Sequence, residues 1–539
     1  GIEMPLGHAA PVGYLLTADG MVTFLNLDTR AVIARQPGFA ASNAPGRRVV
    51  AVERYAASRY SLLGSDGSVT LVEVRAVPQS GAGDSGPIQC SATEIAAVAA
   101  DPAQATSKAF LRKTASGSTT CVRLLRSGGI SAHRLSVTEN LLGEKEVASQ
   151  SLVVDTAGLA AITAIAVDGA GRAIYAGTQA GQLARWQFDD QGKPTTVERF
   201  TAFPDRRSIT ALAMVFGDVS LAVGDDRGHL TVWCPVRREG KAMLTRIHTL
   251  APHDSAVREI LPSLRTKSLL SLGDAGSIHL DHVTSERHLL SLESSVEAAV
   301  VGFASRGNGV VAAGPGAAAN GTAPAKTADR ELIAWSVDAP HPEVSWKSLF
   351  GKVHYEGYDE PAYVWQTTGG DDFEPKLSLI PLLSGTLKGT LYAMLLAVPL
   401  ALFGAVYTSY FTTPRFRRSI KPAVEIMSAI PSVVLGFLVA LWLAPIVERW
   451  VLAVFLALVT LPAVFVGFMA GWQAVRRYDW AKRIENGYEF LVLVPVILLG
   501  VALAAWLTPH VESSVFGGNF RLWLHESLGV RYDQRNCVI

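Results

Sequence analysis

The sequence predicts a multidomain protein in which an all-β part comes first and an α-helical membrane bundle follows. Two observations predict this division. From Gly13 to about Asp338 a short strand–turn–strand pattern recurs, whereas four long and nearly uncharged segments follow Lys388. The whole-chain averages of 49% hydrophobic and 18% charged residues mix these two parts and describe neither of them.

Each copy of the recurring pattern is a short apolar run, a Gly or Asp-Gly turn and an alternating strand. Glycine adopts the positive φ angles of tight hairpins, and alternation buries one face of each strand. The clear copies are Tyr14–Leu25, Tyr60–Leu71, Ile174–Trp186, Leu221–Trp233 and Leu269–Leu280. Weaker copies run over Ala109–Leu124 and Val310–Trp335.

The distance between turn glycines gives the size of the repeat. It is 47, 50, 47 and 48 residues for the pairs Gly20–Gly67, Gly67–Gly117, Gly181–Gly228 and Gly228–Gly276. A repeat of this length holds four strands, which form one blade of a β-propeller. We therefore predict a propeller of about seven blades over residues 1–340. It resembles the WD-repeat type, with Trp186, Trp233 and Trp335 where such repeats often carry tryptophan.

The polar residues of the propeller do not indicate a catalytic, metal-binding or cofactor-binding site. Its histidines follow no metal-ligand spacing, as seen for His133, His229, His253, His279 and His282. No cofactor-binding signature repeats along the blades. We therefore expect no catalytic residue, no metal site and no bound cofactor, and a scaffold or docking surface is the default role of such a domain.

The cysteines and the net charge argue against a zinc site and against a nucleic-acid partner. The four cysteines, Cys90, Cys121, Cys234 and Cys537, contain no CxxC pair, so a zinc site is not predicted. Cys90 and Cys121 could form a disulfide in an oxidising compartment, but two buried thiols are the favoured alternative. The formal charge of +1, without a dense basic face, argues against a nucleic-acid partner.

Four segments of the last third are long and apolar enough to cross a membrane. They are Gly389–Pro414, Ile426–Val447, Trp450–Val475 and Phe490–Val511. A helix needs roughly 20 apolar residues to cross a hydrocarbon layer of about 30 Å. A buried helix of a soluble protein seldom runs so far without a polar face, so the four segments predict spanning helices.

The connections between the spans alternate between rich and poor in basic residues. This alternation indicates the orientation of the chain in the membrane. The first connection carries Arg415, Arg417, Arg418 and Lys421, and the third carries Arg476, Arg477, Lys482 and Arg483. The second carries only Arg449. The positive-inside rule places the first and third connections in the cytoplasm and the propeller outside. We therefore expect a signal-anchor helix ahead of Gly1. The final residues, Cys537-Val538-Ile539, are expected to open another apolar segment.

One stretch of these spans is a candidate for the translocation path. Glu425, Ser428, Pro431 and Ser432 combine a carboxylate, two hydroxyls and a proline at the cytoplasmic end of the second span. Such a combination is typical of a broken helix beside a transport path. Ordinary helix packing is the alternative for each of these residues.

Residues 341–378 link the propeller to the spans and are rich in aromatic residues, which suits an interfacial linker at headgroup depth. The stretch that follows, Leu379 to Ala444, closely resembles the PstC-type permease of phosphate-specific ABC importers. Four motifs carry the resemblance, Leu379–Leu387, Ala397–Tyr407, Pro414–Glu425 and Ala429–Phe437. In this comparison the propeller replaces a short external loop.

The resemblance implies a domain plan for the membrane part. Residues 379–447 form the first two spans of the permease core and residues 448–511 an inserted transmembrane hairpin. Residues 512–539 are an external segment leading into the next core helix, and the loop that couples to the ATPase would follow that helix.

The resemblance also implies a function. The chain is expected to be a permease subunit for inorganic phosphate in a bacterial inner membrane, with the propeller in the periplasm. Its partners would be a second permease subunit, an ATPase dimer, an external phosphate-binding protein and membrane lipid. ATP would be used by the ATPase, since this sequence has no P-loop, and the chain itself is not expected to be an enzyme. The alternatives are a membrane-anchored propeller scaffold and a permease for another oxyanion.

Overall fold

The structure is a computed structural model of the 539-residue chain. The residues it describes are 2–3, 12–37, 47–56, 58–78, 88–100, 105–114, 118–139, 145–238, 240–292, 300–304, 307–315, 330–366, 374–410, 412, 414–475 and 489–528. They divide into two compact units, Gly1–Pro381 and Leu382–Ile539. The first unit is rich in β-strands and the second is helical.

Seven antiparallel sheets follow one another along the first unit, and each is one blade. Blade 1 comprises β1 Ile2–Glu3, β2 Val12–Leu16, β3 Met21–Asn26 and β4 Val32–Pro37. Blade 2 comprises β5 Val49–Ala56, β6 Arg59–Gly64, β7 Val69–Pro78 and β8 Ile88–Val98. Blade 3 comprises β9 Thr106–Lys113, β10 Thr119–Leu125, β11 Ile130–Glu139 and β12 Lys145–Leu152.

The remaining blades continue the same order. Blade 4 comprises β13 Ile162–Val167, β14 Ala173–Thr178, β15 Gln182–Phe188 and β16 Pro194–Thr201. Blade 5 comprises β17 Ile209–Met214, β18 Leu221–Asp225, β19 Leu230–Arg238 and β20 Lys241–Thr249. Blade 6 comprises β21 Val257–Pro262, β22 Ser268–Gly273, β23 Ile278–His282 and β24 Arg287–Leu292. Blade 7 comprises β25 Val300–Phe303, β26 Gly309–Pro315 and β27 Arg330–Ser336 within the described residues.

The predicted seven-bladed propeller is confirmed, and the sequence repeat corresponds to the second hairpin of a blade. The turn glycines of five blades have φ angles between 71° and 87°, at Gly20, Gly67, Gly181, Gly228 and Gly276. Blade 3 differs from the prediction. The copy Ala109–Leu124 covers its first hairpin, and Gly117 lies outside the described residues. The turn of its second hairpin holds Gly128, with a φ of 84°.

Neighbouring blades pack face to face through shared hydrophobic clusters. The cluster between blades 3 and 4 joins Val122 to Trp186, and both side chains are fully buried. A small cluster closes the ring, since Leu27 of blade 1 packs against Ala304 and Val311 of blade 7. The strand faces that alternation predicted to be buried therefore form the contacts between blades.

The cysteines of the propeller lie in its interior. Cys90 and Cys121 belong to different hydrophobic clusters, so the disulfide alternative is not realised. Burial raises the pKa of the Cys121 thiol to about 11. A thiol in this environment is neutral and unreactive at neutral pH.

Part of the linker is folded against blade 6. It contains helix α1 Trp346–Phe350 and the short strands β28 Trp365–Gln366 and β29 Lys376–Leu377. Nζ of Lys267 lies 2.6 Å from a carboxylate oxygen of Glu356, and both side chains are largely buried. Trp346, by contrast, is 81% exposed. The linker thus has one side attached to the propeller and an exposed aromatic residue, and its place at headgroup depth stays a prediction.

The second unit contains the predicted spans. Its helices are α2 Ile380–Tyr410, α3 Pro414–Ala429, α4 Ser432–Leu438, a π-helical segment Val439–Leu443, α5 Ala444–Arg449, α6 Val451–Val475, α7 Glu489–Val515 and α8 Phe520–Leu528. Among the described residues, four stretches are long and apolar enough to cross a membrane, Ile380–Tyr410, Ser432–Arg449, Val451–Ala474 and Leu493–Val515. Their number is as predicted, but the first begins earlier, at Ile380. The second begins later, at Ser432, because a break precedes it.

Candidate functional site

The connection between the first two spans is a basic, amphipathic helix. α3 carries Arg415, Arg417, Arg418 and Lys421. Arg417 donates from Nε to the carbonyl of Thr408 at 3.1 Å and from Nη2 to the carbonyl of Ser409. These carbonyls belong to the last turn of α2, where intrahelical donors are missing and a cation is favourable. The other predicted basic loop, with Arg476, Arg477, Lys482 and Arg483, lies outside the described residues.

The helical chain breaks between α3 and α4. Pro431 has φ −56° and ψ 127°, which is not helical, and the next helix starts at Ser432. Proline has no N–H and disfavours helical geometry at the residue before it, here Ile430. The N–H of Val434 then donates to the carbonyl of Pro431 at 3.0 Å and begins the new helix. The break is therefore encoded locally by the proline.

The predicted path residues surround this break. Glu425 and Ser428 lie in the last turns of α3, and Ser432 opens α4. Oγ of Ser428 donates to the carbonyl of Glu425 at 2.8 Å. Among the described residues no side-chain hydrogen bond joins Glu425 to Ser432, and both are exposed on the helical unit. The structure thus places these residues at one irregular point of the backbone without linking them into a network.

The spans differ in how they pack. α6 and α7 lie against each other, and Oγ1 of Thr460 donates to the carbonyl of Gly500 at 3.0 Å. A Cβ at Gly500 would come within 2.6 Å of Cδ2 and 3.3 Å of Cα of Leu461, so glycine at this position favours close approach of the two helices. In the first and second spans, by contrast, Ala444 is the only buried residue among the described residues of Ile380–Tyr410 and Ser432–Arg449. These two spans keep their apolar faces open for lipid or other helices.

Charged side chains meet where the first strands of several blades converge. Lys108 of β9 lies 3.9 Å from Glu53 of β5. Arg54 donates to the carbonyl of Phe303 in blade 7 at 2.5 Å. Burial, with the nearby Glu53 carboxylate as a second cause, raises the pKa of Glu259 in β21 to about 7. The converging first strands therefore hold a carboxyl group whose pKa is raised well above that of an exposed glutamate.

Blade 6 contains a histidine–aspartate cluster that sequence reasoning missed. His279 and Asp281 lie two residues apart on β23, and His288 of β24 pairs with Asp281 in the register of the hairpin. One ligand-type atom from each lies within 4.8 Å of the others. The pattern His-x-Asp followed by a histidine across a predicted hairpin could have revealed the group. The spacing of possible ligands along the sequence alone does not reveal this group.

Comparisons with known proteins give similarity of fold only. No protein-family model and no curated protein matches the chain. Among solved structures, the β-propeller domain of Myceliophteria thermophila Cps50 (Swd1) is 12% identical, with a TM-score of 0.40, over 61% of this chain and 93% of that chain. The computationally designed Ika8 protein is 16% identical, with a TM-score of 0.37, over 62% and 96%. Chaetomium thermophilum Sqt1, bound to the N-terminus of ribosomal protein L10, is 14% identical, with a TM-score of 0.35, over 58% and 82%.

Proposed function

We propose that this chain is a membrane-spanning permease subunit of an ATP-driven importer of inorganic phosphate, with its propeller on the outer side of a bacterial inner membrane. The observation that carries the proposal is the resemblance of Leu379 to Ala444 to phosphate-importer permeases. That stretch holds the first span, the basic helix α3, the break at Pro431 and most of the second span. The resemblance thus covers one continuous stretch that includes the candidate path.

The exposed spans support an assembly with further membrane helices. Among the described residues, Ile380–Tyr410 has no buried residue and Ser432–Arg449 has only Ala444. A second permease subunit and lipid would cover these faces. ATP hydrolysis is assigned to a partner ATPase dimer, because the sequence has no P-loop, and an external binding protein would deliver phosphate.

The charges at the break suggest different roles for the four candidate residues. Phosphate is an anion, so a carboxylate beside its path repels it, whereas a hydroxyl can donate a hydrogen bond to it. We assign contact with phosphate to Ser432, and to Ser428 once it leaves the Glu425 carbonyl. Pro431 maintains the break, and Glu425 lies beside the path without binding the anion.

A membrane-anchored scaffold is the second candidate function. It is favoured by the size of the propeller unit, Gly1–Pro381, and by the firm attachment of its linker through the Lys267–Glu356 pair. In this alternative the spans hold the propeller at the membrane and the blades bind another protein. The third candidate function is a permease for a different oxyanion.

Uptake of radiolabelled phosphate tests these candidates in a strain that has no other phosphate importer. We expect deletion of the gene to lower uptake at limiting phosphate at least tenfold, and the full-length gene to restore it. Ser432→Ala should restore uptake only partly, because one donor is lost. Ser419→Ala, an exposed serine on the same basic helix, is the matched control and should restore it fully.

Two outcomes would contradict the phosphate proposal. Unchanged uptake after deletion would favour the scaffold. Loss of uptake of another oxyanion, with phosphate uptake intact, would favour the third candidate.

A further inference from the structure

We propose that blade 6 binds a divalent transition-metal ion, Zn²⁺ being the best fit, through His279, Asp281 and His288. The proposal is independent of phosphate transport. It concerns the outer hairpin of the blade, formed by β23 and β24.

The hairpin places three ligands at one point. Side chains two residues apart on a strand lie on the same face, so His279 and Asp281 point the same way. His288 is the cross-strand partner of Asp281. Their ligand atoms lie within 4.8 Å of one another, whereas ligands about 2.0–2.1 Å from a tetrahedral zinc lie about 3.3 Å apart. Small side-chain rotations would bring the three atoms to that separation with no change of strand register.

Two of the three ligands carry a buried polar atom that has no other use. Asp281 has no exposed surface, and its Oδ2 has no hydrogen-bond partner within the described part of the chain. Nδ1 of His279 is likewise buried and without a described partner. A buried polar atom without a partner costs about 1–3 kcal/mol, and a metal ion would satisfy both atoms at once.

His288, the third ligand, connects the cluster to the protein surface. Nδ1 of His288 lies 2.8 Å from Oδ1 of Asp281 and would turn to the ion, while Nε2 lies 2.7 Å from Oγ of Ser291. The side chain of His288 is 35% exposed. The cluster therefore extends from a fully buried carboxylate to a histidine at the surface. An ion would enter from the side of His288, and water would fill the fourth tetrahedral position.

His253 supports the site without being a ligand. Its ring stacks on that of His279, with centroids 3.9 Å apart and planes 12° apart. Both of its nitrogens are engaged, Nδ1 with Ser277 at 2.8 Å and Nε2 with Ser271 at 2.7 Å. Because these bonds hold His253 in place, it restricts the rotation of His279. Such outer contacts commonly orient metal-binding histidines.

The ligand set selects the class of metal. Two imidazoles and one carboxylate suit Zn²⁺ and neighbouring transition ions, whereas Mg²⁺ and Ca²⁺ prefer oxygen ligands. A fully engaged buried aspartate in blade 5 provides a contrast. Asp225 accepts from Arg207 at 2.9 Å and from two backbone N–H groups, so its carboxylate has a structural use already.

Zinc binding to the full chain in detergent, purified without a histidine tag, tests the proposal. After treatment with a chelator, Zn²⁺ would be titrated in competition with a chromophoric zinc chelator. We expect one Zn²⁺ per chain at this site, and at least tenfold weaker binding in His279→Ala, His288→Ala and Asp281→Asn. His133→Ala, a strand histidine of blade 3, is the matched control and should bind as the unaltered chain does.

A second measurement needs no variant and so does not depend on the variants folding. Diethylpyrocarbonate modifies accessible histidines, and mass spectrometry locates the products. We expect Zn²⁺ to reduce modification of His288 several-fold and to leave His341, which is 81% exposed, unchanged. The proposal is overturned if the unaltered chain binds no Zn²⁺, if the three variants keep its affinity, or if Zn²⁺ does not protect His288.

Discussion

Glu259 shows how the position of one residue in the propeller sets a property of the whole domain. It lies on β21, one of the converging first strands, with Glu53, Lys108 and Arg258 as its charged neighbours. Burial is the largest cause of its raised pKa, and the Glu53 carboxylate adds to it. Hydropathy and repeat spacing gave no indication of this, because the neighbours come from three different blades.

This residue makes the stability of the propeller depend on pH. The pKa of Glu259 rises from 4.5 to about 7 on folding, so its contribution to stability is fully present below pH 4.5 and is lost as the pH rises through about 7. The loss is on the order of 3 kcal/mol. We expect Glu259→Gln to reduce the fall in the thermal unfolding midpoint between pH 5 and pH 7.

Glu94→Gln is the matched control, since Glu94 is an exposed carboxyl on β8. Its midpoint should follow that of the unaltered chain at every pH. If Glu259→Gln loses as much stability over this range as the unaltered chain, the assigned role of Glu259 is wrong.

At the scale of elements, the second hairpin of each blade is where sequence reasoning succeeds. Its turn is local, and glycine at a positive φ is a property of a few adjacent residues. Contacts between elements were not predictable in the same way. Lys267 and Glu356 are far apart in the sequence, and nothing near either residue indicates the other. The start of the second span was also misplaced, because Ile426 and Met427 are as apolar as the span that follows the break at Pro431.

Alanine substitutions at two turn glycines distinguish the cost of backbone strain in a hairpin from the cost of disturbed packing between blades. Gly228 of blade 5 and Gly128 of blade 3 have φ angles of 87° and 84°. A Cβ at Gly228 would lie 2.1 Å from the carbonyl oxygen of His253, in the segment that leads to blade 6, whereas a Cβ at Gly128 would meet nothing within 4 Å. Both substitutions by alanine carry backbone strain, and only one also disturbs the contact between blades.

We therefore expect Gly128→Ala to lower the free energy of unfolding by about 1–2 kcal/mol. Gly228→Ala should cost a further amount of about 1–3 kcal/mol, because backbone must move to make room. Chemical denaturation of the full chain, followed by tryptophan fluorescence, measures both. Equal losses for the two variants would show that the turn of blade 5 does not depend on its contact with the segment before blade 6.

At the scale of the whole molecule, the sequence predicted the division into a propeller and four spanning helices because each part has a strong and repeated pattern. The histidine–aspartate cluster of blade 6 could not be found in this way, since it depends on the pairing of β23 with β24. The function proposed for the spans rests on motif resemblance, to which the structure adds the break at Pro431.

The central claim is that the spans carry the propeller on the outer side of the membrane, and labelling of single cysteines with a membrane-impermeant thiol reagent in intact cells tests it most directly. Ser419 lies on the basic helix α3, and Ser513 lies near the end of α7. The chain without added cysteines gives the background. The account predicts that Ser419→Cys resists the reagent until the cells are opened and that Ser513→Cys reacts at once. Reaction at position 419 with protection at position 513 would contradict it.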